Sequence, residues 1–269
     1  MPDSTPSPKP PVVLTVAGSD SGGGAGIQAD LKTFHQCGAF GTCAITAVTV
    51  QNTRGVGDVL PVPPTLVGGQ IAAVAEDFEV AAAKTGMLHS ADSVEVVADA
   101  VVAWRIPNLV VDPVMVATSG DVLLAPDAVA SVSKRLIPLA KVVTPNLPEA
   151  ALLLGRPVVS AADQSDAARA LVESGAGAAL VKGGHGTGQV VIDVLWDGRR
   201  EWRFRHPRIE TVNTHGTGCT LSAAIAAGLA LGEALPEAVE RGLDFVHQGI
   251  LRAHGLGRGF GPLNHWVER

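Results

Sequence analysis

Cysteine and clustered positive charge are both scarce in this 269-residue chain. Cys37, Cys43 and Cys219 are its three cysteines, an odd and widely spaced set that suits a reducing cytoplasm better than a disulfide framework. The net charge is −6, and no basic cluster is longer than Arg199-Arg200, which disfavours nucleic acid as a partner. No stretch approaches transmembrane length without Gly, Pro or charge, and residues 1–10 have no apolar signal core, so no membrane association is expected.

Familiar nucleotide-binding signatures are also missing. A Walker-type loop needs Gly-Lys-[Ser/Thr], and the dipeptide Gly-Lys does not occur; the His-Arg-Asp loop of protein kinases is absent too. Gly24, Gly26 and Ala29 do satisfy the dinucleotide pattern G-x-G-x-x-A, but no acidic residue lies between Leu31 and Gly57 to hold a ribose. A dinucleotide oxidoreductase is therefore a distant alternative, and phosphoryl chemistry here must use another architecture.

What the chain does contain is an alternation of short β-branched runs and longer Ala/Leu-rich stretches. Continuous apolar runs suit strands buried on both faces, so we predict an α/β fold with a doubly wound, mainly parallel sheet flanked by helices. The predicted strands are 12–17, 43–50, 82–85, 109–112, 142–144, 178–182, 190–196 and 202–205, the last two forming an antiparallel hairpin near the sheet edge. The predicted helices are 25–36, 65–78, 90–104, 126–136, 148–154, 161–174, 218–231 and 236–254. A disordered tail (1–11) precedes this single domain (12–269).

Unusual residues follow the predicted strands one after another. Ligands of open α/β sheets bind beyond the carboxyl ends of the strands, so this recurrence predicts an active site at that edge. The motifs, in strand order, are Gly18-Ser-Asp20, Gln51-Asn52, Gly86-Met87, Asp112-Pro-Val, Asn146 and Lys182-Gly-Gly-His185.

The segment Gly216-Thr-Gly-Cys219 precedes an Ala/Leu-rich helical stretch. Glycines let several backbone N–H groups turn the same way, and a helix N-terminus adds positive potential, so the turn is expected to bind an anion such as a phosphate. Cys219, in the first helical turn, is expected to favour its thiolate and could act as a base or nucleophile. The alternative is a tight helix start with a small buried cysteine.

Several polar residues have both a functional and a structural interpretation. Glu149 in Asn146-Leu-Pro-Glu could contact a metal or its water, or simply cap a helix with Asn146. Asp112 ends a buried strand, where a carboxylate needs a partner or a metal. Lys182 could neutralise phosphate charge or extend to water. The amide of Gln51 suits an aminopyrimidine edge or local backbone.

Other candidates carry weaker signals. The glycine-rich segment 18–26 is either a close-approach wall for a small substrate, flanked by Asp20 and Asp30, or an ordinary strand–helix turn. Met87 and Val114 are most simply core or pocket lining. A metal trio of His185, His215 and Cys219 fits no standard zinc spacing.

With these residues in view, the chain closely resembles the hydroxymethylpyrimidine/phosphomethylpyrimidine kinases of thiamine biosynthesis, which belong to the ribokinase-like superfamily. The resemblance covers residues 12–263, with one departure at Ser21-Gly22, where the family usually has Pro-Ser. So many motifs in one order make the match highly specific. The segments that carry it are Ala17-Gly-Ser-Asp-Ser-Gly-Gly-Gly-Ala-Gly-Ile-Gln-Ala-Asp-Leu-Lys-Thr33, Gln51-Asn-Thr-Arg54, Lys84-Thr-Gly-Met87, Asp112-Pro-Val-Met115, Thr144-Pro-Asn-Leu-Pro-Glu-Ala150, Lys182-Gly-Gly-His185 and Asn213-Thr-His-Gly-Thr-Gly-Cys-Thr-Leu-Ser222.

The resemblance implies ATP-dependent phosphorylation of 4-amino-5-hydroxymethyl-2-methylpyrimidine, and then of its monophosphate to the diphosphate, by a ribokinase-like enzyme that uses Mg²⁺. Cys219 would be the catalytic base, Asp112 and Glu149 would serve Mg²⁺ and its waters, and Lys182 would lie near the ATP phosphates. The anion hole would comprise Gly216, Thr217, Gly218 and Cys219. The pyrimidine pocket would include Gly18, Asp30, Gln51, Met87 and Val114.

Two rival functions stay open at this point. A pyridoxal kinase on the same frame would also phosphorylate a hydroxymethyl group on an aromatic nitrogen heterocycle. A nucleotide- or metabolite-binding regulatory module without turnover is the rival from another class. Relatives suggest a homodimer, and the adenine site has no readable signature.

Overall fold

The computed structural model describes residues 9–115 and 126–267. The first eight residues of the predicted disordered tail (1–11) lie outside the described residues, as do 116–125, 268 and 269. Within the described part, the strands form one nine-stranded sheet with the order β3-β2-β1-β4-β5-β6-β7-β8-β9. The strands are β1 Val12–Asp20, β2 Phe40–Asn52, β3 Gly55–Pro61, β4 Val80–Thr85, β5 Leu109–Val111, β6 Val142–Val143, β7 Ala179–Val181, β8 Val190–Trp196 and β9 Glu201–Pro207.

The centre of the sheet is parallel and both edges are antiparallel. β2, β1, β4, β5, β6 and β7 pair in parallel, whereas β3 pairs antiparallel with β2, and β8 and β9 form the predicted antiparallel hairpin beside β7. The mainly parallel, doubly wound prediction is confirmed. Because parallel strands all end at one edge, this arrangement brings the residues after β4, β5, β6 and β7 to the same side of the molecule.

Helices cover both faces of the sheet. The helices are α1 Gly26–Gln36, α2 Pro64–Asp77, α3 Ala91–Ala103, α4 Pro126–Ser131, α5 Leu147–Leu154, α6 Ala161–Glu173, α7 Thr217–Ala230 and α8 Leu235–Leu251. In the described ranges, no helix has the length and apolar character that crossing a bilayer requires.

β1 explains why the strands read as continuous apolar runs. Leu14 and Val16 face a core that includes side chains of α2, α3, α5 and α6, and Val13 faces a second core with α1, α7 and α8. Successive side chains of a strand point to opposite faces, so a strand with a core on each side is apolar at most positions. Thr15 is the buried exception in this part of β1, and its hydroxyl bonds to Asp30.

The structure corrects several element boundaries. β1 extends to Asp20 and β2 to Asn52, so Gly18, Ser19, Asp20 and Gln51 lie inside strand ends and not after them. β3 was not predicted, because Gly55, Gly57 and Pro61 are poor strand formers and are tolerated at a sheet edge.

The predicted helix 126–136 is not one regular helix. Its α-helical part ends at Ser131, a π-helical turn spans Val132–Leu136, and a 3₁₀ turn follows at Ile137–Leu139. The proline at position 138 cannot donate a backbone hydrogen bond, so a regular helix does not continue past this point.

Leucine truncation on β1 and β3 tests how the sheet is stabilised. Leu14 is completely buried between the sheet and its helices, whereas Leu60 on the edge strand is 70% exposed. We expect Leu14→Ala to lower the free energy of unfolding by about 2–5 kcal/mol, because it removes buried surface and leaves a cavity. Leu60→Ala is the matched control and should change it by less than about 0.5 kcal/mol. Urea denaturation measures both, and equal losses would contradict the assignment of the core.

Candidate active site

A cavity of about 640 Å³ lies at the carboxyl edge of the parallel strands. Its wall draws on the ends of β1 and β2, the segments after β4, β5, β6 and β7, and the first turns of α5 and α7, as the strand-end pattern predicts. The predicted site residues that line it are Gly18, Gln51, Met87, Asp112, Val114, Glu149, Lys182, Gly216, Thr217, Gly218 and Cys219.

The turn before α7 brings bare backbone to the cavity wall. Gly216 is the N-cap of α7 and has a positive φ of 84°, which favours glycine, and no side chain caps this helix end. A side chain at Gly216 would also collide with the carbonyl oxygen of Gly24. The first-turn amides of α7 therefore present the positive end of the helix dipole at the cavity, as an anion site requires.

Cys219 lies in this first turn, but its protonation differs from the prediction. Burial raises the pKa of the thiol to about 11, although Lys84 and the backbone N–H of Gly26 both favour the thiolate. The expectation that the helix N-terminus favours a thiolate is wrong for the free protein, because desolvation outweighs these positive groups. Cys219 carries a thiol proton at neutral pH.

Lys182 and Asp112 form an ion pair at the cavity wall. Lys182 Nζ lies 2.9 Å from Asp112 Oδ1, and Asp112 also accepts from Thr144 Oγ1 at 3.2 Å and Ser222 Oγ at 3.3 Å. Burial alone would raise the pKa of Asp112, but Lys182 holds it below its usual value. A Cβ atom at position 218 would lie 3.3 Å from Lys182 Nζ, so this cation lies beside the anion-binding turn.

The position of Glu149 is compatible with both of its predicted roles, helix capping and a metal contact. Its carboxylate accepts from the Asn146 backbone N–H at 2.8 Å, and Asn146 Oδ1 accepts from the Glu149 N–H at 2.9 Å, a capping box for α5. Glu149 also lines the cavity. Burial, reinforced by the negative charge of Asp112, raises the pKa of Glu149 to about 7 against the attraction of Lys182.

The wall near β1 and β2 is suited to a flat heterocycle. Gly18 allows Met87 to pack directly over the β1 backbone, since a side chain at Gly18 would collide with Met87 Cε. The side-chain carbonyl of Gln51 accepts from Thr49 Oγ1 at 3.0 Å, which orients the amide at the wall. Val114 adds apolar surface from the loop after β5.

Asp30 does not lie on the cavity wall. Its carboxylate is completely buried, 2.9 Å from Lys84 Nζ, and it accepts from Thr15 Oγ1 at 2.6 Å. In contrast to the prediction, the Asp30 carboxylate is therefore too buried to contact a substrate in the cavity directly. It lies below the wall, where it is paired with Lys84. Lys84 was missed as a functional candidate, since a lysine inside an apolar strand gives no sign of its partner 54 positions away.

Asp20 and His215 are further wall residues that the sequence did not pair. Asp20 accepts backbone N–H groups from Gly22, Gly24 and Ala25 at 2.7–3.1 Å, and His215 Nε2 lies 2.8 Å from its Oδ2 atom. An Asp directly before a glycine-rich turn is the signal that could have indicated this loop-ordering role. The Nε2 atom of His215 is therefore already bonded to Asp20. Residues 9–115 and 126–267 contain no group of three His, Cys, Asp or Glu side chains that could hold a metal by itself.

The far end of the cavity is more apolar. It is formed by α7, α8 and the segment around the end of β9, and no motif in the sequence indicated it. The rings of His206 and His247 lie 5.2 Å apart there. Its apolar side chains are Ile209, Leu221, Leu243, Val246 and Ile250.

Comparison with known proteins identifies the family. The sequence profile of the family described as phosphomethylpyrimidine kinase matches residues 20–264. A hydroxymethylpyrimidine/phosphomethylpyrimidine kinase from Rhizobium meliloti (strain 1021) is 52% identical over 260 residues, 95% of this chain and 97% of the relative. The chain belongs to the phosphomethylpyrimidine kinase family.

Solved structures place this family member in the ribokinase-like fold. A pyridoxal kinase from Bacillus subtilis, solved as an ADP complex, has a TM-score of 0.89 and 36% identity, covering 96% of this chain and 98% of its own. A phosphomethylpyrimidine kinase from Clostridium difficile 630 has a TM-score of 0.80 and 39% identity, covering 89% of this chain and 99% of its own. The fold is therefore shared with a pyridoxal kinase and with a phosphomethylpyrimidine kinase.

The pKa of Glu149 predicts a pH dependence of stability. The folded pKa of this carboxyl, about 7, lies above the value of 4.5 that is usual for glutamate, so the folded state binds more protons than the unfolded state. Its contribution is therefore fully present below about 4.5 and is lost as pH rises towards 7. Relative to Glu149→Gln, which keeps the acceptor for Asn146, the free energy of unfolding of the wild type should fall by about 3 kcal/mol over this window.

Urea denaturation at pH 4.5, 5.5, 6.5 and 7.5 measures this difference. Glu173→Gln, at an exposed position near the end of α6, controls for the loss of a surface carboxylate. A difference between wild type and Glu149→Gln that stays constant with pH would show that Glu149 does not titrate in this window.

Proposed function

We propose that this protein is an ATP-dependent kinase that phosphorylates 4-amino-5-hydroxymethyl-2-methylpyrimidine, and then its monophosphate to the diphosphate, in thiamine biosynthesis. One observation carries the proposal. The uncapped N-terminus of α7, with Cys219 in its first turn, shares a single cavity with Lys182 and with the wall of Gly18, Gln51 and Met87. An anion site, a cation and a heterocycle-sized wall in one cavity are the parts that phosphoryl transfer to a small aromatic alcohol needs.

The pyrimidine is proposed to lie against the wall near β1 and β2. Gln51 offers a donor and an acceptor to the aminopyrimidine edge, while Met87 and Val114 contact its faces. Asp30 supports this wall from below through Lys84 and makes no direct contact. The hydroxymethyl group then extends towards Cys219 and the first turn of α7.

ATP is proposed to enter from the opposite end. The apolar surface of α7 and α8 suits adenine, and the triphosphate then runs towards Lys182 and the amides of Gly216, Thr217 and Gly218. Positive charge at both places stabilises negative charge on the transferred phosphoryl group. The ADP complex of the related pyridoxal kinase supports nucleotide binding in this fold.

Mg²⁺ fits the residues at this edge of the cavity. Mg²⁺ is usually held by one or two carboxylates together with substrate phosphates and waters, and Asp112 and Glu149 supply two carboxyl groups on the same wall. These two residues would hold the ion, which when bound would neutralise part of the triphosphate charge.

Positioning supplies most of the rate in this mechanism. The hydroxymethyl oxygen and the γ-phosphorus are held in line by the heterocycle wall and the anion site, and the loose transition state requires little prior deprotonation of the acceptor. Cys219 Sγ, as thiolate, then accepts the hydroxyl proton. Because burial opposes the thiolate, only a small fraction of the enzyme at neutral pH is in the reactive form.

A substrate panel tests the function. Purified protein with ATP and Mg²⁺ should release ADP only when a pyrimidine alcohol or its monophosphate is present, and chromatography should detect both the mono- and the diphosphate. Product from pyridoxal alone would favour the pyridoxal kinase alternative, which the likeness to the Bacillus subtilis enzyme supports. No substrate-dependent ADP release would favour a binding module without turnover.

Cys219→Ala tests the base. General bases typically contribute about 10²–10⁴-fold, so turnover should fall by that factor while folding and ATP binding persist. In the wild type, kcat/KM, which reports the pKa values of the free enzyme, should rise about tenfold per pH unit between pH 6 and 9, below the thiol pKa of about 11, and the residual activity of the variant should lack this rise. Cys43→Ala, on β2 away from the cavity, is the matched control. A wild-type profile that is flat with pH would remove the base role from Cys219.

Two properties of the whole protein are part of the same proposal. We place the enzyme in the cytoplasm, which the three free cysteines support, and we propose a homodimer from the resemblance to its relatives. Light scattering coupled to size-exclusion chromatography measures the mass in solution; a monomer at micromolar concentration would refute the dimer.

A further inference from the structure

Two glycine-rich segments, one from each end of the chain, meet at the cavity wall. The first, residues 20–26, leads from β1 into α1, and the second, residues 213–219, leads into α7. Asp20 and His215 join them by one buried hydrogen bond across 195 positions of sequence. Only 3% of the Asp20 surface and 8% of the His215 surface is exposed.

The direction of this hydrogen bond follows from the chemistry of its partners. The Asp20 carboxylate is ionised, since its backbone donors and His215 together hold its pKa below the usual value despite burial. An ionised carboxylate only accepts hydrogen bonds. His215 Nε2 must therefore carry the proton and donate it to Asp20 Oδ2, the oxygen that also accepts from Gly24 and Ala25.

The two segments also approach each other closely at two glycines. A side chain at Gly216 would collide with the Gly24 carbonyl oxygen, and a side chain at Gly24 would lie 2.5 Å from His215 Cδ2. The backbone N–H of His215 donates to Gly261 O at 3.0 Å, which fixes the backbone of the histidine. His215 is thus held on one side by the chain near Gly261 and on the other by Asp20.

We propose that Asp20 and His215 are positioning residues for phosphoryl transfer. Their hydrogen bond fixes the first turn of α7, which begins two residues after His215, relative to the wall at the end of β1 that holds the acceptor. The transferred phosphoryl group and the acceptor hydroxyl are thereby held in line. This inference rests on the proposed function, because the acceptor and the phosphoryl group are those of that reaction.

Replacement of His215 tests the pair by kinetics. His215→Leu removes the donor, and a displacement of about 1 Å at such a site can lower the rate about 10²-fold. We expect kcat to fall about 10–100-fold, with KM for ATP changed by less than about threefold, because the hydrogen bond aligns bound groups more than it binds them. His215→Gln keeps a donor near the Nε2 position and should restore kcat to within about fivefold of wild type.

Controls separate positioning from general damage. His35→Leu, at an exposed position of α1, is the matched control and should leave kcat unchanged. Combining Asp20→Ala with His215→Leu should lower kcat no further than Asp20→Ala does alone, since Asp20→Ala already removes the acceptor of the His215 hydrogen bond. If His215→Leu does not fold, His215→Asn replaces it, because asparagine is too short to reach Asp20. Additive losses, a failure of Gln to rescue, or kcat values equal to those of His35→Leu would overturn the proposal.

Hydrogen exchange tests the pair without any turnover. In the His215→Leu protein, backbone amides of residues 22–25 and 217–220 should exchange faster than in His35→Leu, because the link that orders both segments is lost. If wild-type protein shows no turnover with any substrate, the proposed function fails. The exchange result then decides by itself whether Asp20 and His215 order the two segments, and unchanged exchange would refute the link.

Discussion

The close approach of the α7 N-terminus to the glycine-rich segment after β1 is the constraint on which the site depends. Gly216 and Gly24 meet backbone to backbone, which no other residue pair could do without displacing one segment. This contact brings the helix dipole to the cavity wall on which Cys219 lies. The anion site and a cysteine whose pKa is raised by burial therefore lie side by side in the first turn of α7.

Two lysine–carboxylate pairs at the same sheet edge serve different purposes because their burial differs. Lys84 and Asp30 are both completely inaccessible and bond only to protein groups. Lys182 stays 12% exposed at its side chain while bonded to Asp112, so it can still meet an anion in the cavity. A buried pair holds the wall in place, and a partly exposed pair of the same chemistry is available to a substrate.

Local sequence predicted much of this site. Strand-end motifs indicated the cavity wall correctly for Gly18, Gln51, Asp112 and Lys182, because parallel strands must end together. Local sequence did not predict β3, whose glycines and proline are weak strand formers. It also did not predict the direction in which the pKa of Cys219 is shifted. A thiol at a helix N-terminus is expected to ionise more easily; only the surrounding packing shows that desolvation dominates.

The sequence by itself determined the family, the alternation of strands and helices, and the residue types at the carboxyl edge. These follow from periodicity and short motifs, which act over a few residues. Only the tertiary structure decided which of those residues meet. Asp30 pairs with Lys84 below the cavity wall, and Asp20 pairs with His215. Neither pairing leaves a local pattern in the sequence, because the packing of whole elements brings together partners that are far apart along the chain.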